Sequence, residues 1–101
     1  MFELNLQRAV LSDFTKAIEI SPPFPVAYTN RGLAKEYRGD IEGAIADYTK
    51  AIEISPRHAD AYYNRGFARQ DRGDLDGSRA DFAKASEIDP QKYGPNGLRN
   101  E

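Results

Sequence analysis

The chain has 101 residues, enough for one domain, and its 40% hydrophobic and 30% charged residues suit an amphipathic helical protein rather than a disordered one. Its net charge of −2, with acidic and basic residues interspersed, excludes strong attraction to nucleic acid or to an anionic membrane. No apolar run reaches the roughly 18 residues of a membrane span, and without cysteine there is no disulfide or thiolate metal site. We therefore expect no cofactor, metal, nucleic-acid or membrane partner, and a cytoplasmic location as the default.

The sequence repeats itself with a period of 34 residues. Residues 25–56 and 59–90 agree at about half of their positions, and residues 13–22 nearly repeat residues 47–56. The residues that coincide include Tyr28 and Tyr62, Gly32 and Gly66, Gly39 and Gly73, Asp47 and Asp81, Ala51 and Ala85, and Pro56 and Pro90. Self-similarity at such a period indicates an array of stacked helical units.

The repeated residues resemble the tetratricopeptide repeat, a 34-residue helix-turn-helix unit. That family's pattern has an aromatic residue at positions four and twenty-four, Gly at eight, Ala at twenty and twenty-seven, and Pro at thirty-two. The first full copy supplies Tyr28, Gly32, Ala44, Tyr48, Ala51 and Pro56. The second supplies Tyr62, Gly66, Ser78, Phe82, Ala85 and Pro90. The resemblance implies an all-α solenoid of about two and a half repeats with five helices.

Helical periodicity and its stop signals divide the chain into five segments and a tail. We expect helices at residues 1–22, 26–38, 41–55, 59–72 and 75–88. These helices make one domain over residues 1–90, formed by a half repeat (1–22) and two repeats (23–56 and 57–90), before a loose C-terminal tail (91–101). Within the first repeat, we expect Gly32 to allow a close approach of the second helix, Gly39 to end the first helix, and Asp40 to cap the second.

The two ends of the array differ in polarity. Ile45 and Ile52 are replaced in the last repeat by Arg79 and Ser86, at positions that would pack on a following repeat. This change predicts a polar end to the array. The half repeat instead carries apolar residues that the chain does not cover, so we expect either that the chain is cut from a longer array or that another molecule covers this face. They form a predicted self-association face, and a homodimer or domain-swapped dimer through it is the alternative function: Phe2, Leu4, Leu6, Val10 and Phe14.

In the family that the chain resembles, the first helix of each repeat lines a concave groove through positions two, five, six, nine, twelve and thirteen. Carried over to the first repeat, these positions are Val26, Thr29, Asn30, Leu33, Glu36 and Tyr37. In the second repeat they are Asp60, Tyr63, Asn64, Phe67, Gln70 and Asp71. The resemblance implies a scaffold or adaptor that binds a peptide or partner helix in this groove. The alternative interpretation is that these residues are ordinary solvated or inter-helix contacts.

Some family members grip the C-terminal carboxylate of chaperones with lysine at position five, asparagine at six and nine, and basic residues at positions two and six of the next repeat. Only Asn30 and Asn64 match that pattern. The residues that break it are Thr29, Leu33, Asp60, Tyr63 and Phe67. The Asp60 carboxylate would repel a ligand carboxylate. The sequence therefore argues against a chaperone-tail clamp.

Arg31 and Arg65 replace an apolar residue of the family pattern. Ion pairs with Asp47 and Asp81 explain them better than binding of an acidic partner does. His58 is the only histidine, and no metal-ligand or nucleophile motif accompanies it. We therefore expect a protein that is not an enzyme.

Overall fold

The computed structural model describes residues 24–94. Over that range the chain forms five helices, α1 (Pro25–Tyr37), α2 (Ile41–Ile54), α3 (Ala59–Arg72), α4 (Leu75–Ile88) and α5 (Pro90–Tyr93). The first four helices begin and end within one residue of their predicted bounds. The predicted helix at residues 1–22, and with it the self-association face, lies outside the described residues.

The helices pack as two stacked hairpins. Helix α1 packs on α2 and α3 packs on α4, while α2 and α1 both contact α3. No strand occurs in the described part of the chain, and none of its helices combines the length and apolarity that a membrane crossing needs. The prediction of an all-α solenoid built from helix-turn-helix repeats is confirmed.

Each hairpin reverses at a glycine followed by an aspartate. Gly39 and Gly73 have φ angles of 86° and 95°, a left-handed conformation that glycine adopts without strain. Asp40 then caps α2, because its carboxylate accepts a hydrogen bond from the backbone N–H of Gly43 at 2.9 Å. Asp74 caps α4 in the same way. The predicted turn and cap are therefore confirmed in both repeats.

A missing side chain lets the two helices of each hairpin approach closely. A Cβ atom added to Gly32 would lie 2.5 Å from Cε1 of Tyr48, and one added to Gly66 would lie 2.7 Å from Cε1 of Phe82. Real Cβ atoms do not make contacts this short, so the aromatic ring packs directly on the backbone of the facing helix. The close approach predicted for Gly32 is confirmed.

The described core runs from one repeat into the next. Ala44, Ile45 and Tyr48 of α2 form a buried cluster with Ala68 of α3. In α4 the position of Ile45 is taken by Arg79, whose side chain is 77% exposed. The second helix of the first repeat therefore packs forward on the second repeat, and the corresponding position of α4 is polar and open.

Residues 90–93 correct the prediction of a loose tail from Gln91 onward. They form the helical turn α5, in which Pro90 occupies the first position and Asp89 accepts a hydrogen bond from the backbone N–H of Lys92 at 3.1 Å. Proline at that position favours helix initiation because its φ angle is already helical. Tyr93 is only 7% exposed. Residues 95–101 of the predicted tail lie outside the described residues.

Candidate functional site

A buried ion pair joins the two helices of the first repeat. Arg31 donates two hydrogen bonds of 2.8 Å to the carboxylate of Asp47, and Nζ of Lys35 lies 3.2 Å from the same group. Asp47 is 3% exposed. The Arg31 guanidinium also lies 5.7 Å from the ring centroid of Tyr28. These cations are held by the scaffold, as the sequence predicted for Arg31.

The second repeat contains the same arrangement. Arg65 donates hydrogen bonds of 2.9 and 2.8 Å to Asp81, and Arg69 adds a third of 3.0 Å. Arg65 also donates to the hydroxyl of Thr49 on α2 at 3.1 Å. This last bond ties the second repeat to the first. The structural interpretation of Arg65 is confirmed.

Helices α1 and α3 are neighbours and carry the predicted groove lining. Four apolar side chains on them are exposed by 38–80%: Val26, Leu33, Tyr37 and Phe67. Leu33, Glu36 and Tyr37 line an open depression of about 260 Å³. Large apolar side chains left exposed on neighbouring helices are typical of a binding surface.

Not every predicted lining residue is presented to a ligand. Thr29 is only 5% exposed, its hydroxyl donates to the carbonyl of Pro25 at 2.9 Å, and it lies 3.0 Å from Nε2 of His58. The structure therefore places Thr29 inside the repeat. Three other predicted lining residues are partly buried or exposed: Asn30, Asn64 and Gln70.

An aromatic cluster covers one end of the second repeat. The ring of Tyr93 stacks on Tyr63 with centroids 4.3 Å apart and planes at 25°. Tyr63 in turn contacts Phe67 and Phe82, with centroid distances of 5.0 and 5.7 Å. The predicted lining residue Tyr63 is therefore half-buried beneath α5, whereas Phe67 stays 43% exposed.

Asp60, another predicted lining residue, is bound by two residues of α5. The Tyr93 hydroxyl donates to its carboxylate, and Nζ of Lys92 lies 3.0 Å away. Burial raises the pKa of Asp60, but the hydrogen bonds from Tyr93 and Lys92 outweigh that effect and lower it overall. The hydrogen bond to Asp60 raises the pKa of Lys92, and burial raises that of Tyr93 to about 12. The Asp60 carboxylate is thus compensated within the chain.

Sequence reasoning missed the roles of Lys92 and Tyr93. The signal that identifies them is the repeat itself, since a shift of 34 residues places them on His58 and Ala59. Residues at these positions begin the next helix of an array and therefore lie close to the first helix of the preceding repeat.

A carboxylate forms part of the depression on α1. The hydroxyl of the fully buried Tyr48 donates to Glu36. Burial raises the pKa of Glu36, the Tyr48 hydrogen bond opposes the rise, and the Asp71 carboxylate adds to it. Burial and the bond to Glu36 likewise raise the pKa of Tyr48. Across residues 24–94 no three acidic or histidine side chains are grouped to hold a metal ion. The depression combines two apolar side chains, Leu33 and Tyr37, with the Glu36 carboxylate.

Two family sequence models match the chain. One, described as a TPR repeat, covers residues 37–71, and the other, described as a tetratricopeptide repeat, covers residues 59–92. Together they span residues 37–92, more than half of the chain. A comparison with curated proteins gives no significant match.

Several solved structures are similar to this chain. The first TPR of Spaghetti (RPAP3), bound to the HSP90 peptide SRMEEVD, has a TM-score of 0.84 and 26% identity over 97% of this chain and 79% of its own. The OM64 TPR domain of Arabidopsis has a TM-score of 0.84 and 26% identity over 97% of this chain and 82% of its own. The UNC-45 chaperone has a TM-score of 0.76 and 30% identity over 90% of this chain and 11% of its own. With its repeated helix pairs and these matches, the chain belongs to the tetratricopeptide repeat family.

Proposed function

We propose that the protein is a non-catalytic interaction module that binds an extended peptide or a partner helix across α1 and α3. The observation that carries this proposal is the exposure of Leu33, Tyr37 and Phe67, by 38%, 80% and 43%, on two adjacent helices. Burying a large apolar side chain stabilises a complex by roughly 1.5–3 kcal/mol. The similar Spaghetti domain, which is bound to a peptide, supports the same use of this fold.

The ligand-accessible surface is concentrated on α1 and on the C-terminal half of α3. The depression beside Leu33 and Tyr37 accepts an anchoring side chain of the ligand. Asn30 and Asn64, which are partly buried, supply amide groups that both donate to and accept from a peptide backbone. Because α5 covers Tyr63, the ligand contacts Phe67 rather than Tyr63 on the second repeat.

A displayed library of random short peptides tests the proposal. Peptides selected on the full chain should lose binding to the Tyr37→Ala variant, because its 80% exposed ring forms no hydrogen bond or ring contact within residues 24–94. Leu75→Ala is the matched control, since Leu75 is 53% exposed but lies outside the groove positions. Circular dichroism should show both variants folded. Undiminished binding to Tyr37→Ala would contradict the proposal.

Self-assembly through the half repeat stays a separate prediction from the sequence. It requires that solution mass, measured by light scattering over a wide concentration range, correspond to a dimer. Replacing Val10 and Phe14 by Asp should then give monomers, because two buried carboxylates oppose association. A monomer at every concentration would contradict it.

A further inference from the structure

We propose that the ligand of this groove is a basic-apolar peptide segment, in which a lysine or arginine stands next to an aliphatic or aromatic residue. The inference rests on the proposed function and adds the chemistry of the partner. The basic side chain binds beside Glu36 and Asp71. Its apolar neighbour packs on Leu33, Tyr37 and Phe67.

The groove lining carries negative charge and no positive charge. Its twelve positions contain three carboxylates, from Glu36, Asp60 and Asp71, and no lysine, arginine or histidine. Lys92 compensates Asp60 at 3.0 Å. Neither Glu36 nor Asp71 has a cationic partner within residues 24–94. Two carboxylates of the lining are therefore uncompensated in the described structure.

The cations near the groove bind buried carboxylates of the scaffold. Arg31 and Lys35 bind Asp47, and Arg65 and Arg69 bind Asp81. Four cations within the first helices are therefore directed at buried carboxylates. Arg38 follows α1 as its C-cap, in the turn rather than at a lining position. None of the twelve groove positions therefore carries a lysine or arginine that could bind an anion.

The two carboxylates lie at the same end of their helices. Glu36 lies in the last turn of α1 and Asp71 in the last turn of α3. The C-terminal end of a helix carries partial negative charge from its unpaired carbonyl groups, which also favours a cation. Helices α1 and α3 contact each other, and the Asp71 carboxylate contributes to raising the pKa of Glu36. A cation at this end relieves that repulsion.

Apolar and acidic side chains lie side by side on α1. Leu33 and Tyr37 flank Glu36 around the depression of about 260 Å³. The Tyr37 ring, 80% exposed, can receive a lysine or arginine over its face. A peptide with a basic residue beside an apolar one satisfies both features with neighbouring side chains.

The charge of the expected ligand distinguishes this chain from the similar Spaghetti domain. The peptide bound to the Spaghetti domain, SRMEEVD, carries one arginine against two glutamates and an aspartate, so it is acidic overall. A peptide of that kind would bring carboxylates toward Glu36 and Asp71. We therefore expect it to bind this chain more weakly than a basic peptide of equal length.

The test uses the displayed random-peptide library on the full chain, followed by synthetic peptides. Groove-dependent peptides, identified by loss of binding to Tyr37→Ala, should contain lysine or arginine beside an apolar residue. Replacing that cation by Glu should weaken binding about tenfold or more, and added salt should weaken the parent peptide. Glu36→Gln and Asp71→Asn should each reduce the affinity for the peptide about two- to fivefold. The Gln side chain keeps an oxygen that can accept the hydrogen bond from Tyr48.

Asp76→Asn is the matched control, because it removes the same charge at a 98% exposed side chain outside the groove, and its affinity should equal that of the unmodified chain. Groove-dependent peptides that are acidic or uncharged would overturn the basic-partner inference and leave the proposed function standing. Failure to select any groove-dependent peptide would overturn both. Loss of self-association in Tyr37→Ala would assign this face to a second copy and would overturn the inference as well.

Discussion

The two repeats share one scaffold and present different surfaces. Both hold a buried aspartate between cations, Asp47 in the first repeat and Asp81 in the second. On the outside, the first repeat has an open depression beside Leu33 and Tyr37, whereas the ring of Tyr93 covers part of the second. The comparison shows that the contacts inside each hairpin are repeated, while the accessible surface depends on the residues that come after the hairpin in the chain.

The aromatic residue at the centre of each hairpin differs between the two repeats together with the residue that faces it. Tyr48 donates its hydroxyl to Glu36 in the first repeat. In the second repeat the same two positions hold Phe82 and Gln70. A buried hydroxyl requires an acceptor, and a phenyl ring does not. The first repeat therefore keeps a carboxylate close to its surface depression, and the second repeat has an amide at that position.

The linkers after each repeat show the same principle. His58 lies against the hydroxyl of Thr29 at 3.0 Å. The equivalent residue Lys92 contacts Asp60 instead, and Tyr93 stacks on Tyr63. The residues that come after the proline of one repeat thus contact the first helix of that same repeat. The contact changes from an imidazole beside a hydroxyl to an ion pair and a ring stack.

The largest expected effect tests the shared part of this comparison. Asp47→Ala and Asp81→Ala each leave partly buried cations without their carboxylate, and we expect each to lower the free energy of unfolding by about 3 kcal/mol. Urea denaturation measures it. Glu53→Ala is the control, because its 3.8 Å pair with Lys50 is exposed and should contribute less than about 0.5 kcal/mol. A loss in only one repeat would contradict the equivalence of the two sites.

A smaller effect tests the covered surface of the second repeat. Tyr93→Ala removes the ring that stacks on Tyr63 and the donor to Asp60, and should destabilise the chain by about 2 kcal/mol. Hydrogen exchange should locate the loss of protection in α3 and α4 rather than in α1. Lys92→Ala, an exposed neighbour, should have little effect. Uniform loss of protection across both repeats would show that α5 does not act locally.

The third prediction tests the paired substitution. Tyr48→Phe removes the donor to Glu36 and should lower the free energy of unfolding by about 1–2 kcal/mol. The double variant with Glu36→Gln reproduces the residue pair of the second repeat and should recover part of that loss. A double-mutant cycle from urea denaturation measures the coupling, which should be about 1 kcal/mol. Additive effects would show that the hydroxyl and the carboxylate act independently.

The smallest effect is a pH dependence that belongs to the second repeat. Because the pKa of Asp60 is lowered in the folded protein, its stabilisation is complete above the ordinary value of 3.8 and is lost as the pH falls through the folded pKa. The pKa of Tyr93 is raised from 10.0 to about 12, so its contribution is present below pH 10 and is lost as the pH rises toward 12. The pKa of Lys92 is also raised, so its contribution to stability is likewise lost as the pH rises.

Unfolding free energies measured across the pH range check this dependence. Asp60→Asn should remove its part of the acid limb, and Tyr93→Phe should remove its part of the alkaline limb. Asp76→Asn, at a fully solvated position, should change neither limb. Acid and alkaline limbs that are unchanged in both variants would show that these groups do not set the pH dependence.

The sequence alone determined the 34-residue period, the four main helices of the described region, the Gly-Asp turns and the Arg–Asp pairs. The turns and helices result from local caps and helical spacing, and the Arg–Asp pairs join the two helices of one hairpin, so none of these features depends on packing between repeats. The tertiary structure decided that Thr29 is buried and that Tyr93 stacks on Tyr63 rather than belonging to a loose tail. Such contacts depend on which apolar surface remains open after the helices have stacked, and that surface is defined only when both hairpins are in place.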